Sequence, residues 1–249
     1  MYGYHNLFCY FNAGNKLTKM GITEIWLPKT NKMKILILGA TGRTGKLILS
    51  EALKQGFEIN CLVRKPNKIK VNHSDLKIYK GSPEVISELR RAIKGCDAII
   101  SALNISRKSD FPWSKLRTPK TFLSDVMKNI ISLTEKNKNV RIVVCSAWGV
   151  ADTQKEIPFW FNWFIRNSNI GVAYKDHERQ ENLLKSSNLN WTIVRPSGLI
   201  NLKKKQKIIE SYQNEPKPKI TISRKSVAEF MVNALSNEKL IGRSPVISA

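Results

Sequence analysis

The chain has 249 residues and a formal net charge of +23, from 42 Lys and Arg against 19 Asp and Glu. This length suits one α/β domain with a sizeable core. The sequence contains no run of about 18 apolar residues, which excludes a transmembrane helix. The positive charge is spread along the chain, with one dense run at residues 201–207, so we expect a solvated surface and no nucleic-acid partner. The four cysteines form no CxxC pair, which favours free thiols in the cytoplasm and no metal site.

Residues 1–32 lack the compact apolar stretch and the small-residue cleavage site of a secretory signal. We expect them to form a poorly ordered extension. The folded domain is expected to span residues 33–249, because the first apolar strand follows Met33 directly.

From Met33 onward, short apolar runs alternate with amphipathic segments. The first run, KILILGA at 34–40, has no polar alternation, which is typical of a strand buried on both faces of a parallel sheet. Further strands are predicted at 57–65, 76–82, 97–103, 140–147, 191–199, 219–223 and 244–248. Helices are predicted at 41–56, 82–95 (with Ser82 as N-cap and Pro83 at the first helical position), 121–137, 175–188 and 224–236. This order predicts a single Rossmann-like, doubly wound parallel sheet with helices on both faces.

The first strand leads into three glycines with the spacing G-x-x-G-x-x-G, at Gly39, Gly42 and Gly45. Gly39 would allow a tight turn, Gly42 would let the backbone approach a pyrophosphate, and Gly45 would permit close packing of helix on strand. The helix that follows would offer its N-terminal N–H groups to the anion. The motif predicts a dinucleotide site; the alternative is a tight turn without a ligand.

The end of the second strand indicates which dinucleotide is bound. An Asp or Glu there would bind a ribose 2′-hydroxyl, but this chain has Arg64 and Lys65. Cations at this position favour a 2′-phosphate, and Arg43 in the glycine turn could add to the pocket. We therefore expect NADP(H). The alternative is that these are ordinary surface cations of a Lys-rich chain.

Five segments together, GATGRTG, CLVR, VVCSA, DHERQENLL and WTIVRPSGL, resemble atypical short-chain dehydrogenases/reductases of the NmrA-like, NAD(P)H-binding type. Within that type the chain is similar to the biliverdin-IXβ reductase/flavin reductase group, from about Met33 to the C-terminus. The resemblance implies a Rossmann fold, NADPH as cofactor, and hydride transfer to a flavin, a quinone or a similar small planar acceptor. The alternative is a redox sensor of the NmrA-like type that binds NAD(P) without turnover.

The resemblance also implies site residues. Ser146 and His177 would be catalytic, and both would contact the nicotinamide end of the cofactor. Ser82 stands where many relatives carry an Asp near the adenine. The cofactor-binding residues implied are Gly39, Thr41, Gly42, Arg43, Thr44, Arg64, Ser82, Ala102, Leu103, Ser146, His177, Pro196 and Ser197.

Two of these residues have structural alternatives, and one family feature is missing. Ser146 could simply cap a turn at a strand end, and His177 could stabilise the first turn of a helix. The Tyr-x-x-x-Lys dyad of typical short-chain dehydrogenases is absent, because Glu178 stands four residues after Tyr174. A flavin or quinone could take its proton from solvent, so hydride transfer alone would suffice.

An aromatic segment, PFWFNWFIRN at 158–167, lies in a predicted insertion near 152–171. Trp160 and Trp163 are predicted to contact the substrate as part of a lid over a planar acceptor. Two alternatives are a membrane-surface or partner-docking patch, and a satellite core under a long loop.

Overall fold

The computed structural model describes residues 32–136, 139–202 and 206–249. The predicted extension lies outside the described residues except for Lys32, whose ammonium pairs with Asp75 at 2.8 Å. The middle of the dense Lys run, 203–205, also lies outside them. None of the helices within the described ranges is long and apolar enough to cross a bilayer.

Ten strands occur in the described residues: β1 (Lys34–Leu38), β2 (Glu58–Val63), β3 (Leu76–Lys80), β4 (Ala98–Ser101), β5 (Arg141–Cys145), β6 (Asn190–Pro196), β7 (Gly198–Ile200), β8 (Ile209–Ser211), β9 (Thr221–Ser223) and β10 (Val246–Ser248). Eight of them form one sheet in the order β3-β2-β1-β4-β5-β6-β10-β8, and β7 pairs with β9 separately. Every pairing is parallel except that of β10 with β8.

The α-helices of the described residues are α1 (Arg43–Lys54), α2 (Ile86–Ile93), α3 (Phe122–Thr134), α4 (Phe159–Arg166), α5 (Ile170–Lys185) and α6 (Arg224–Asn233). Helices α1 and α6 pack together over one face of the sheet, and α3 and α5 pack together over the other. This arrangement confirms the Rossmann-like, doubly wound fold predicted from the sequence.

Strand β1 shows why the uninterrupted apolar run is needed. Ile35 and Ile37 point into the core beneath α1 and α6, whereas Leu36 and Leu38 point into the core beneath α3 and α5. All four are fully buried. A central strand covered on both faces requires an apolar side chain at every position.

The prediction that Ser82 caps the second helix is wrong. Helix α2 begins at Ile86, and Val85 occupies its N-cap. The segment from Ser82 to Val85 is a turn, closed by a hydrogen bond of 3.0 Å that the Val85 N–H donates to the Ser82 carbonyl oxygen. Proline is favoured at the second position of such a turn as well as at a helix start, so Pro83 could not distinguish the two.

Helix α5 begins at Ile170, five residues before the predicted start, so His177 lies inside the helix and not in its first turn. Gly171 and β-branched Val172 have low helix propensity, so the first turn of α5 could not be recognised from the sequence. A Cβ on Gly171 would lie 2.7 Å from the Ile165 carbonyl oxygen, so the glycine lets α5 begin directly against the end of α4.

Candidate functional site

A cavity of about 940 Å³ lies at the carboxyl ends of the central strands. Its wall takes residues from the segments that follow β1, β2, β3, β4, β5 and β6, the edge at which open parallel sheets bind ligands. Ser82 and Trp163 are not part of the wall, although Gly81 and Pro83 are. The predicted site residues that line it are Gly39, Thr41, Gly42, Arg43, Thr44, Arg64, Ala102, Leu103, Ser146, Trp160, His177, Pro196 and Ser197.

The glycine turn forms one end of the cavity. Gly39 has a φ of +85°, and a Cβ there would lie 2.7 Å from the Ala102 carbonyl oxygen. A Cβ on Gly45 would lie 2.0 Å from the carbonyl oxygen of Gly39, so α1 approaches β1 as closely as the glycine spacing predicts. Gly42 is the N-cap of α1, and no side chain caps that helix. The first-turn N–H groups are thus available to an anion.

The same end of the cavity is strongly cationic. Arg43, Arg64 and Arg224 line it, and burial together with the nearby Arg43 lowers the pKa of Arg224. Asp110 is the one carboxylate among the described residues of the wall. It accepts two hydrogen bonds from the Arg43 guanidinium, at 2.9 and 3.1 Å. Because both partners are exposed, this pair is weak and could exchange Asp110 for a phosphate.

An ionic network that joins buried Arg195 and Glu181 to exposed Asp152 lies behind the middle of the cavity. The Ser146 hydroxyl donates to Glu181 Oε1 at 2.7 Å, and Arg195 donates to both oxygens of Glu181, at 3.1 and 2.5 Å. Arg195 also donates to both oxygens of Asp152, at 3.1 and 2.6 Å. Burial disfavours the charged guanidinium, but these hydrogen bonds outweigh it and raise the pKa of Arg195. Hydrogen bonding to Arg195 lowers the pKa of Asp152. The network fixes the Ser146 hydroxyl proton toward Glu181.

His177 lies in the same wall and is almost completely buried. Burial lowers its pKa to about 4, against the opposing effect of Glu181 and Asp176, so the imidazole is neutral at pH 7. Its Nδ1 has no hydrogen-bond partner within the described residues. The same holds for the buried indole nitrogen of Trp148 and the buried hydroxyl of Ser197, which also line the cavity. These orphaned polar atoms fit a wall built to receive a polar ligand.

The neighbouring Asp176 has a structural role. Its carboxylate accepts the Leu123 N–H and the Ser124 hydroxyl, both at 2.6 Å, and so caps the start of α3 from a distance. Tyr174 lines the cavity, and burial raises the pKa of its hydroxyl, while Glu178 is exposed. No lysine thus stands where the Tyr-x-x-x-Lys dyad would place one to lower the tyrosine pKa.

The aromatic segment forms the other end of the cavity and divides into two faces. Phe161 packs inward with buried Ile165, against Trp148 and Ile157. Trp160 lines the cavity but remains largely exposed, and Phe159 and Trp163 are exposed. The satellite-core interpretation therefore fits only the inward face.

Several residues at the site were not predicted from the sequence. Arg195 lies in the WTIVRPSGL segment, and an arginine within an apolar strand indicates a buried carboxylate partner. Glu181 lies in the DHERQENLL segment, where the fold buries it completely. Trp148, Arg107, Arg117 and Arg224 carried no local signal, because loop residues reach the cavity only through the tertiary fold.

The fold and the cavity define a Rossmann-fold protein with a candidate dinucleotide site. The chain belongs to the NAD(P)H-binding family, whose sequence model matches residues 39–238. It is 27% identical over 216 residues to an uncharacterised chloroplastic protein of Arabidopsis thaliana, an alignment that covers 83% of this chain and 73% of that protein.

Two solved structures are similar to the chain. A short-chain dehydrogenase/reductase from Veillonella parvula in complex with NADP has a TM-score of 0.67 and 20% identity, covering 87% of this chain and 94% of that one. ChuY, an anaerobilin reductase from Escherichia coli O157:H7, has a TM-score of 0.70 and 18% identity, covering 87% and 97%. These similarities confirm the fold, and the family match shows that the chain belongs to a family that binds NAD(P)H.

Proposed function

We propose that the protein is an NADPH-dependent reductase that transfers hydride to a flavin, a quinone or a similar conjugated planar acceptor. The observation that carries the proposal is a single cavity that joins the cationic glycine turn to the aromatic helix α4. Its volume of about 940 Å³ is near the upper end of the range for ligand pockets, roughly 300–1,000 Å³. It offers a phosphate-binding end and a stacking end.

The phosphate-binding end fits NADPH better than NADH. The pyrophosphate would meet the N-terminus of α1, and Arg64 and Arg43 would hold the 2′-phosphate. Arg43 must exchange Asp110 for the phosphate, which costs little because both side chains are exposed. No carboxylate follows β2 to bind a free 2′-hydroxyl.

The middle of the cavity would hold and orient the nicotinamide. Because the Ser146 proton is directed to Glu181, the lone pairs that remain on Oγ can accept from the carboxamide NH₂. Neutral His177 and the Ser197 hydroxyl add hydrogen-bonding atoms on the same wall. The bound dihydronicotinamide supplies the hydride, and the protein supplies position and polarity.

The acceptor end explains why no Tyr-Lys dyad is required. Trp160, Phe161 and Tyr174 surround a space in which a planar ring system can stack. Neutral Tyr174 donates its hydrogen bond to the Trp148 carbonyl oxygen at 3.3 Å and has no lysine to lower its pKa. We propose that solvent provides the proton that accompanies the hydride, which a flavin or quinone accepts readily.

A second candidate is an NAD(P)-binding redox sensor without turnover. The missing dyad favours it, because burial raises the pKa of Tyr174 and this hydroxyl therefore lacks the acidity that carbonyl reduction uses. We also propose a reducing compartment such as the cytoplasm, because Cys61, Cys96 and Cys145 are all unpaired thiols.

NADPH oxidation by the full chain distinguishes the two candidates. Absorbance would be followed with FMN, riboflavin, a simple benzoquinone and a linear tetrapyrrole as separate acceptors, and NADPH affinity would be measured in parallel. Turnover with one of these acceptors, reduced in Ser146→Ala, would support the reductase. Tight NADPH binding without turnover on any of them would refute it and favour the sensor.

A further inference from the structure

The cavity does not account for the most exposed part of the aromatic segment. Phe159 is 86% exposed, Trp163 57% and Trp160 61%. A helix turns about 100° per residue, so these three side chains fall within a sector of about 100° on α4, and buried Ile165 lies roughly opposite. The helix therefore presents large aromatic rings to solvent on one side and anchors itself with the other.

The loop between β4 and α3, residues 102–121, extends this surface. Phe111 and Trp113 are 63% and 48% exposed, and their ring centroids are 5.3 Å apart. Trp113 makes an edge-on contact with Phe164 of α4 at 5.7 Å. Phe164 is four residues after Trp160, so the rings of the loop continue those of the helix. We call Phe111, Trp113, Phe159, Trp160 and Trp163 the aromatic face.

Hydrogen bonds fix the loop against the helices. The Trp113 indole N–H donates to the Asn167 carbonyl oxygen at 2.7 Å. The Asn169 side chain donates to the carbonyl oxygens of Trp113 and Ser114, at 2.9 and 3.2 Å. The Trp113 ring and the backbone beside it are thus held in place before any partner arrives, which reduces the entropic cost of docking.

The charge around the aromatic face is mostly positive. The loop carries five cations, Arg107, Lys108, Lys115, Arg117 and Lys120, and one carboxylate, Asp110. Arg107 and Arg117 also line the cavity. Helix α4 has no acidic residue and carries exposed Arg166 in its last turn, beside Phe159 on the helix surface. A complementary surface must therefore be apolar and anionic together.

We propose that the aromatic face docks on a bilayer that contains anionic lipid. Trp and Phe rings enter the boundary between headgroups and acyl chains, and neighbouring Lys and Arg bind anionic headgroups. A short helix lying flat with an aromatic side and a basic flank has this chemistry. Because Trp160 belongs both to the aromatic face and to the cavity wall, docking there brings the acceptor end of the cavity to the lipid surface.

The test is sedimentation of the full chain with vesicles of phosphatidylcholine alone or mixed with phosphatidylglycerol. The variant is Phe111→Ser with Phe159→Ser, which removes two exposed rings and leaves the net charge unchanged. The matched control is Val71→Ser with Ile241→Ser, which removes two apolar side chains exposed elsewhere. We expect binding only with phosphatidylglycerol, a loss of about tenfold or more in the first variant, and wild-type binding in the control.

Brominated acyl chains provide a measurement that needs no variant. They should quench the tryptophan emission of the wild-type protein on phosphatidylglycerol vesicles, because Trp160 and Trp163 would lie within the bilayer boundary. Absence of wild-type binding would overturn the proposal. So would equal binding by the Phe variant, which would indicate adsorption through net charge alone. A dimer that dissociates in the variant, observed by sedimentation velocity, would instead identify a second copy of the chain as the occupant.

Discussion

The neutral, buried state of His177 leads to a specific pH dependence of stability. Burial lowers the imidazole pKa from 6.5 to about 4 in the folded protein. Between these values the unfolded chain binds a proton that the folded chain does not, so acidification favours unfolding. The contribution is fully present above pH 6.5 and is lost progressively as the pH falls toward 4. From pH 7.5 to pH 5, it should reduce the free energy of unfolding by about 2 kcal/mol.

Urea unfolding at pH 7.5 and pH 5 measures this loss, with His177→Asn as the perturbation and the wild type at each pH as the reference. His177→Asn should remove about 2 kcal/mol from the difference in unfolding free energy between pH 7.5 and pH 5. This expectation does not depend on how much the variant changes stability at either pH. The titration of Asp152 does not interfere, because its lowered pKa acts below this window.

The reasoning would be refuted if His177→Asn kept the full pH dependence of the wild type. Proton NMR of the imidazole rings gives an independent reading that requires no variant. The His177 resonance should stay constant between pH 7.5 and pH 5. A normal titration there would show that the ring is solvated in solution.

Three further predictions concern matched pairs of residues. Arg64→Asp should weaken the binding of NADPH by roughly 2–3 kcal/mol more than the binding of NADH, because a carboxylate would face the 2′-phosphate. Lys65→Asp, at a residue outside the cavity wall, should not discriminate between the two cofactors. Calorimetry with both cofactors measures the difference, and equal weakening by Arg64→Asp would contradict the prediction. Glu181→Gln should lower the free energy of unfolding in urea by about 3 kcal/mol, because Arg195 loses a buried ionic partner. Glu178 is exposed, so Glu178→Gln should change this free energy by less than about 0.5 kcal/mol. Similar values for the two variants would argue against the network. Trp160→Ala should raise the KM for the acceptor about fivefold, because it removes roughly 1 kcal/mol of stacking. Trp163 lies outside the wall, so Trp163→Ala should leave this KM unchanged. Steady-state kinetics measures both values, and an equal effect of the two variants would contradict the prediction.

Local sequence signals were sufficient where one segment makes its own structure. The run that became β1 predicted burial on both faces, since each of its residues is apolar. The glycine spacing predicted the turn, because the positive φ of Gly39 and the close approach at Gly45 exclude most other residues at those positions. The division of the chain at Met33 stays a prediction.

Helix starts were less predictable, because the deciding contacts come from elsewhere in the chain. Glu88 accepts the Ser82 N–H at 2.6 Å, which stabilises a turn where a helix was expected. Helix α5 begins early because Gly171 fits beneath the end of α4. Neither contact leaves a periodic pattern in the sequence.

The sequence by itself therefore determined the fold class and the glycine turn at one end of the cavity, because backbone geometry and uninterrupted hydrophobicity are properties of short segments. Only the tertiary structure decided how the rest of the site is built. Glu181 of α5 and Arg195 of β6 are far from each other's local sequence signals, and the energy of their buried ion pair depends on the tertiary fold that brings them together. It also decided which aromatic rings face the cavity and which face solvent, because the composition of α4 is aromatic on both sides.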